Sequence, residues 1–294
     1  MSADLVKRAS KSSKPSTQRV LRARLLTAAV LIPLVVWGVI ALPHPGFVTL
    51  LAGIVLLGAW EWAGLSGWSK RYQRLGYLLL VLSAVLGANW LVNVPWARRS
   101  FLILSLFWWL TAFLWVVIYQ RGKDTLPRSP VVLGLAGILV MIPAWLGLAT
   151  IHNSSPDGPY WVVLLLILIW CADSAAFLTG SLWGKRHLAD RVSPGKTWEG
   201  VAGAALAATL LALAYAMFNN LQLGNVLLLI GLFLVTVFFS IGGDLLESLV
   251  KRWAGVKDSG DLLPGHGGML DRIDSLMAAA PVFALGLSLF GGRL

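Results

Sequence analysis

Charge is what this sequence is shortest of. Only 13% of its 294 residues are Asp, Glu, Lys or Arg, while 57% are hydrophobic; an ordinary soluble domain is about one-quarter charged. So little polar surface cannot cover a soluble fold of this size, so lipid must be the solvent and no soluble domain is expected. Cysteine is scarcer still. Cys171 stands alone in the apolar run 167–171, which excludes a disulfide framework and a cysteine-built zinc site, and gives no reason to expect redox chemistry. Acidic residues number 13 against 24 Lys and Arg. The resulting formal charge of +11 would suit nucleic acid, but the basic residues lie between apolar stretches rather than along one stripe. That is the distribution of a protein oriented in anionic lipid, and no nucleic-acid partner is expected.

What is abundant is apolar sequence long enough to cross a bilayer, for which about 20 residues suffice. Such stretches run at roughly 25–42, 47–64, 76–94, 101–119, 131–151, 160–178, 201–217, 226–241 and 276–290. The expected fold class is all-α: a polytopic integral membrane protein with about nine transmembrane helices and a cytoplasmic N-terminus. Residues 1–24, basic and rich in serine, read as a disordered cytoplasmic tail. They exceed a signal-peptide n-region, and the apolar stretch after them is long enough to span. With the N-terminus inside, all but Arg98, Arg99 and Arg293 of the 24 Lys and Arg fall on the inner side, as the positive-inside rule requires. Nothing in the sequence explains the Arg98-Arg99 pair.

Of the 13 acidic residues, all but Asp4, Glu61, Asp124 and Asp157 lie between Asp173 and Asp274. The chain therefore divides into the tail 1–24, transmembrane helices over 25–151 with little chemistry, and a catalytic region over 152–294 with cytoplasmic loops. Glu61 is the exception in the first half. It is either a carboxyl reaching headgroups from a span's end or a functional group, and both readings stand. No inverted repeat of the transporter kind is visible.

Three segments carry chemistry. Asp173 sits in the inner half of an apolar span, where an unpaired carboxylate costs about 3 kcal/mol, so it should face a metal ion or polar cavity. The loop after it holds Lys185, Arg186, Arg191, Lys196 and Thr197 among Gly and Ser, a composition suited to phosphate. Lys196-Thr197 resembles a phosphate-loop ending, but the glycine spacing before it does not match. Next, Asp244, Glu247, Ser248 and Lys251 fall on one face if the eighth span continues as a helix; a solvated amphipathic end would look the same. Last, Pro264-Gly265-His266-Gly267-Gly268 forms an irregular turn before the ninth span, whose N–H groups could receive a phosphate. Asp271 and Asp274, three residues apart on its first turn, could share a magnesium ion, which favours one or two carboxylates plus phosphate oxygens and water. For His266, a phosphate contact and a backbone hydrogen bond within the turn are both open.

The run Ser248-x-x-Lys251-Arg252-x4-Lys257-Asp258-x5-Pro264-x-His266-Gly267-Gly268-x2-Asp271-Arg272-x-Asp274 resembles the signature of the CDP-diacylglycerol synthases, or phosphatidate cytidylyltransferases. The upstream Asp173-Ser174 and 193–200 resemble the same family, so the likeness covers the C-terminal 40% or so of the chain. It implies transfer of CMP from CTP to phosphatidic acid, giving CDP-diacylglycerol and pyrophosphate for phospholipid synthesis, with Mg2+ and room for a second cation. Carried onto this sequence, it implies metal ligation by Asp244, Asp271 and Asp274, joined by Asp173. Lys257 is implied as a catalytic cation. Substrate binding is implied for Lys196, Thr197, Ser248, Lys251, Arg252, His266, Gly267, Gly268 and Arg272. The family also implies a homodimer. The short chain and basic tail suggest a bacterial plasma (inner) membrane, with the active site facing the cytoplasm. Two other classes compete: a CTP-dependent kinase of polyprenol or another lipid alcohol, which would release CDP, and a cation-coupled transporter, which would place carboxylates from both halves at mid-membrane.

Overall fold

The structure, a computed structural model, describes residues 17–123, 128–260 and 267–290, with side chains from residue 29 onward. His266 and the turn residues 261–265 lie outside the described residues. Nine helices are present among those described: α1 (Thr17–Ala41), α2 (His44–Leu65), α3 (Arg71–Val92), α4 (Pro95–Gln120), α5 (Pro130–His152), α6 (Gly158–Trp183), α7 (Trp198–Phe218), α8 (Leu223–Ala254) and α9 (Leu270–Phe290). The last eight are long and apolar enough to cross a membrane. The expected first span coincides with α1, whose apolar part with described side chains is Ala29–Ala41. This helix begins at Thr17, within the segment that composition assigns to the tail.

Helix ends follow the local sequence. Proline stands in the first turn of α2, α4, α5 and α6, where its missing N–H would have been unpaired anyway. The Ser129 hydroxyl accepts the Val132 N–H at the start of α5. Gly255, with φ of 72°, ends α8 in the left-handed conformation that glycine adopts without strain.

The loop expected between α6 and α7 contains a small antiparallel hairpin, β1 (His187–Ala189) and β2 (Ser193–Thr197). It is an addition to the all-α expectation. Ala189 and Val192 on it pack with Val116, Leu245 and Leu249 in a small apolar cluster of their own, which pins the hairpin to α4 and α8. Too short to be periodic, these strands could not be told from loop in the sequence.

Helices α5, α8 and α9 form the centre, with 72%, 50% and 56% of their apolar windows buried, against 28–39% for the other spans. α9 packs on both α8 and α5, and α6 packs on α7. Bilayer lipid gives helices no hydrophobic reason to associate, so close backbone approach at small residues must hold them. At Gly147 a Cβ would stand 2.8 Å from the Ala280 carbonyl carbon of α9. Gly243 lets α8 approach the Asp274 carbonyl in the same way, and this crossing brings the charged ends of α8 and α9 together. Gly147→Ala is expected to destabilise the bundle by about 1–3 kcal/mol, seen as a lower thermal unfolding midpoint in detergent. Gly231→Ala, with nothing within 4 Å of its Cβ, should leave the midpoint unchanged.

Candidate active site

Polar residues in these helices must find partners, because lipid offers none. Asp173, Asp244, Glu247, Asp271 and Asp274 find them together at one end of the bundle. Lys196, at the end of the hairpin's second strand, places Nζ 2.6 Å from Asp244 Oδ2 on α8. Ser248, one turn further along α8, donates its hydroxyl to Asp244 Oδ1 at 3.3 Å. Asp173 on α6 lies close enough to Asp244 and Lys196 to feel both charges. One more turn along α8, Lys251 Nζ lies 2.6 Å from Asp271 Oδ1 of α9 and 3.2 Å from Glu247 Oε2. Asp244, Glu247, Ser248 and Lys251 thus share one face of a single helix, as their spacing predicts, and that face looks onto α9 and the hairpin.

Glu247 is the member that sequence reasoning left out of the site. Its side chain is fully buried. Besides Lys251 it meets the Asp274 carboxyl, and its Oε1 is buried with no donor to it among the described residues. Two carboxyl groups in contact need a proton or a cation between them. Its place three residues after Asp244 was the available signal.

Asp271 and Asp274 do not converge on one point. Asp274 faces Asp244 and Glu247. Asp271 faces Lys251 and the segment before α9: its Oδ2 accepts the N–H groups of Gly268 at 2.8 Å and Ser259 at 3.0 Å, and lies 3.0 Å from the Ser259 hydroxyl. Three residues of helix separate them, enough for Asp271 to meet Lys251 while Asp274 meets the carboxylates of α8.

The amides of Gly268, Met269 and Leu270 at the start of α9 are spoken for as well. Gly268 N–H goes to Asp271, while the N–H groups of Met269 and Leu270 donate to Glu61 at 2.9 Å each. The expectation that this helix start receives a phosphate meets carboxylates already in that place. Thr197, expected to touch substrate, uses its hydroxyl to accept the Gly200 N–H and cap α7. Arg252 bonds the Val192 carbonyl through Nε at 3.2 Å, tying the hairpin to α8. Lys257, Arg252 and Arg272 are exposed around the cluster.

Among the described residues, no three His, Cys, Asp or Glu side chains gather round one point. Magnesium does not require that, because it is held by one or two carboxylates while phosphates and water complete its octahedron. The donor set fits such an ion: hard carboxylate oxygens, one of them buried and unpartnered. Asp173, Asp244, Glu247 and Asp274 are the residues that could hold it.

A cavity of about 410 Å3 adjoins this end of the bundle, walled by α1, α2, α5, α6 and the first turns of α9. Its lining is apolar except for Arg272.

The family model described as the cytidylyltransferase family matches residues 22–290. The chain is 42% identical over 265 residues to a phosphatidate cytidylyltransferase of Pseudomonas aeruginosa, covering 90% of this chain and 96% of that one. It is 36% identical to the protein of that name from Haemophilus influenzae, covering 90% and 97% of the two chains. To the one from Mycobacterium leprae it is 31% identical, covering 94% and 91%. A match along nearly the whole chain, over a bundle that gathers its carboxylates and lysines at one end, means that this chain belongs to the cytidylyltransferase family.

Proposed function

We propose that this protein transfers the cytidylyl group of CTP to phosphatidic acid, releasing pyrophosphate and forming CDP-diacylglycerol, at the cytoplasmic face of a bacterial plasma membrane. The observation that carries the reading is the charged cluster standing beside an apolar cavity. CTP is water-soluble and phosphatidic acid keeps its acyl chains in the bilayer, so their phosphates can meet only where a polar site borders an apolar one. The cavity suits acyl chains, and Arg272 at its wall suits the lipid phosphate.

In this reading a phosphatidic acid oxygen attacks the CTP α-phosphorus in line with the departing pyrophosphate. That oxygen is already ionised near neutral pH, so no general base is needed. The barrier is repulsion between two anions and the charge gathering on the leaving group, and fixed cations lower both. Lys196 and Lys251 are held by Asp244, Glu247 and Asp271 and so stand aimed before substrate arrives. Arg252, Lys257 and Arg272 supply further positive charge at the rim. A divalent ion held by one or two of Asp173, Asp244, Glu247 and Asp274 would neutralise phosphate oxygens and orient them for attack. Asp271 holds Lys251 in place.

With phosphatidic acid and CTP labelled on the α- or the γ-phosphate, the lipid should acquire α-label, and only with magnesium. Label from the γ-phosphate would mean a lipid kinase, and an unlabelled lipid would remove the transferase reading. Asp274→Asn and Lys196→Ala should each lower kcat/KM about 100-fold or more while membrane insertion is unchanged; near-normal turnover would dismiss that residue's role.

The cytoplasmic placement has its own test. In a Cys171→Ser background, Asp190→Cys on the exposed hairpin turn should react with a membrane-impermeant maleimide in inside-out vesicles and be protected in right-side-out ones.

A further inference from the structure

We propose that Glu61, from the half of the chain that otherwise lacks site chemistry, is a positioning residue for the transfer: it locks the start of α9 to α2 and so sets where Asp271 and Lys251 stand. The inference rests on the cytidylyltransferase reading.

Glu61 lies near the end of α2 and is only 7% exposed. Its Oε1 accepts the Met269 N–H at 2.9 Å, and its Oε2 accepts the Leu270 N–H at 2.9 Å and lies 3.0 Å from the Ser259 hydroxyl. A buried carboxylate in a membrane helix needs such partners, and the first amides of a helix are natural ones. With both oxygens engaged and the side chain buried, Glu61 is not placed to touch substrate.

Capping alone does not account for this arrangement, because Asp271 already reaches back within α9 to the Gly268 N–H. What Glu61 adds is a link from another helix to both sides of the turn at once. The Ser259 hydroxyl lies 3.0 Å from Glu61 Oε2 and 3.0 Å from Asp271 Oδ2, so one hydroxyl stands within hydrogen-bond reach of both carboxylates. Asp271 in turn holds Lys251. Two glycines make room for the link: a Cβ on Gly260 would come within 2.7 Å of Glu61 Oε1, and one on Gly268 within 2.5 Å of Oε2. The path from Glu61 through Ser259 and Asp271 to Lys251 is continuous.

The test is steady-state kinetics and thermal unfolding of the full chain in detergent, comparing wild type with Glu61→Gln, Ser259→Ala and the double variant, using CTP and phosphatidic acid. Glutamine keeps the size but loses the charge and one acceptor. The expected result is a fall in kcat of about 10- to 100-fold for Glu61→Gln, the range typical of residues that orient a contacting group. KM for CTP should change far less. Ser259→Ala should show a smaller fall, and the double variant should be no worse than Glu61→Gln, since both act along one path. A purely structural cap would instead lower the unfolding midpoint and leave kcat per folded molecule unchanged, with independent effects for the two residues; that result would overturn the inference. If Glu61→Gln does not fold, Ser259→Ala carries the test, and an unchanged kcat overturns it. Wild-type protein that makes no CDP-diacylglycerol would refute the function reading, whereas active wild type with an equally active Glu61→Gln would refute this inference alone.

Discussion

Ionised groups buried at the end of a helical membrane bundle must neutralise one another, and that requirement organises this molecule. Removing one partner from a buried ion pair costs about 3–5 kcal/mol because the other charge is left stranded. Glu247, fully buried, has Lys251 against it. Asp271 shares the same lysine, and Asp244 has Lys196. Each of these contacts crosses between elements or winds along α8, so satisfying the charges and assembling the helices are one process. α8 is the axis: Asp244, Glu247, Ser248 and Lys251 lie on one of its faces, and α9 and the hairpin are drawn to that face from either side.

The apolar packing makes that convergence geometrically feasible. Gly243 removes the side chain that would hold α9 away from α8, beside the residue that carries the first carboxylate. Gly147 does the same between α5 and α9. The hairpin would have no fixed place without Ala189 and Val192 anchored against α4 and α8, and Lys196 owes its approach to Asp244 to that anchoring. Small residues and short apolar anchors thus set the distances at which the electrostatics operate, and a low-dielectric surrounding strengthens each contact.

The cluster also has the balance that nucleotidyl transfer between anions calls for. Lysines stand fixed before the phosphates arrive, so little reorganisation remains for the transition state. Glu247 and Asp274 set hard oxygen donors against each other, suited to a divalent ion completed by phosphate and water. The adjoining cavity is apolar, with Arg272 on its wall, so a lipid phosphate and a soluble nucleotide can reach the same few residues from different phases.

The sequence by itself determined the membrane class, the positions of the eight helices long and apolar enough to span among the described residues, and the family. Span length and hydrophobicity are local properties, and the signature from Ser248 to Asp274 is linear. The helical face carrying Asp244, Glu247, Ser248 and Lys251 was legible for the same reason, since helical periodicity converts spacing into direction. The tertiary structure alone decided which charges meet. Asp271 and Asp274, three residues apart and read as one site, face different partners because α8 presents Lys251 to one and Glu247 to the other. Glu61 stands 208 residues from Met269, whose N–H it accepts, and no spacing rule reaches across such a separation. Thr197, read as a phosphate ligand, caps α7 by accepting the Gly200 N–H, a local bond that its place just before that helix could have signalled. Patterns along the chain record what a segment must bury, whereas partners are assigned by helix crossings, and those depend on glycines such as Gly147 and Gly243 at the points of contact.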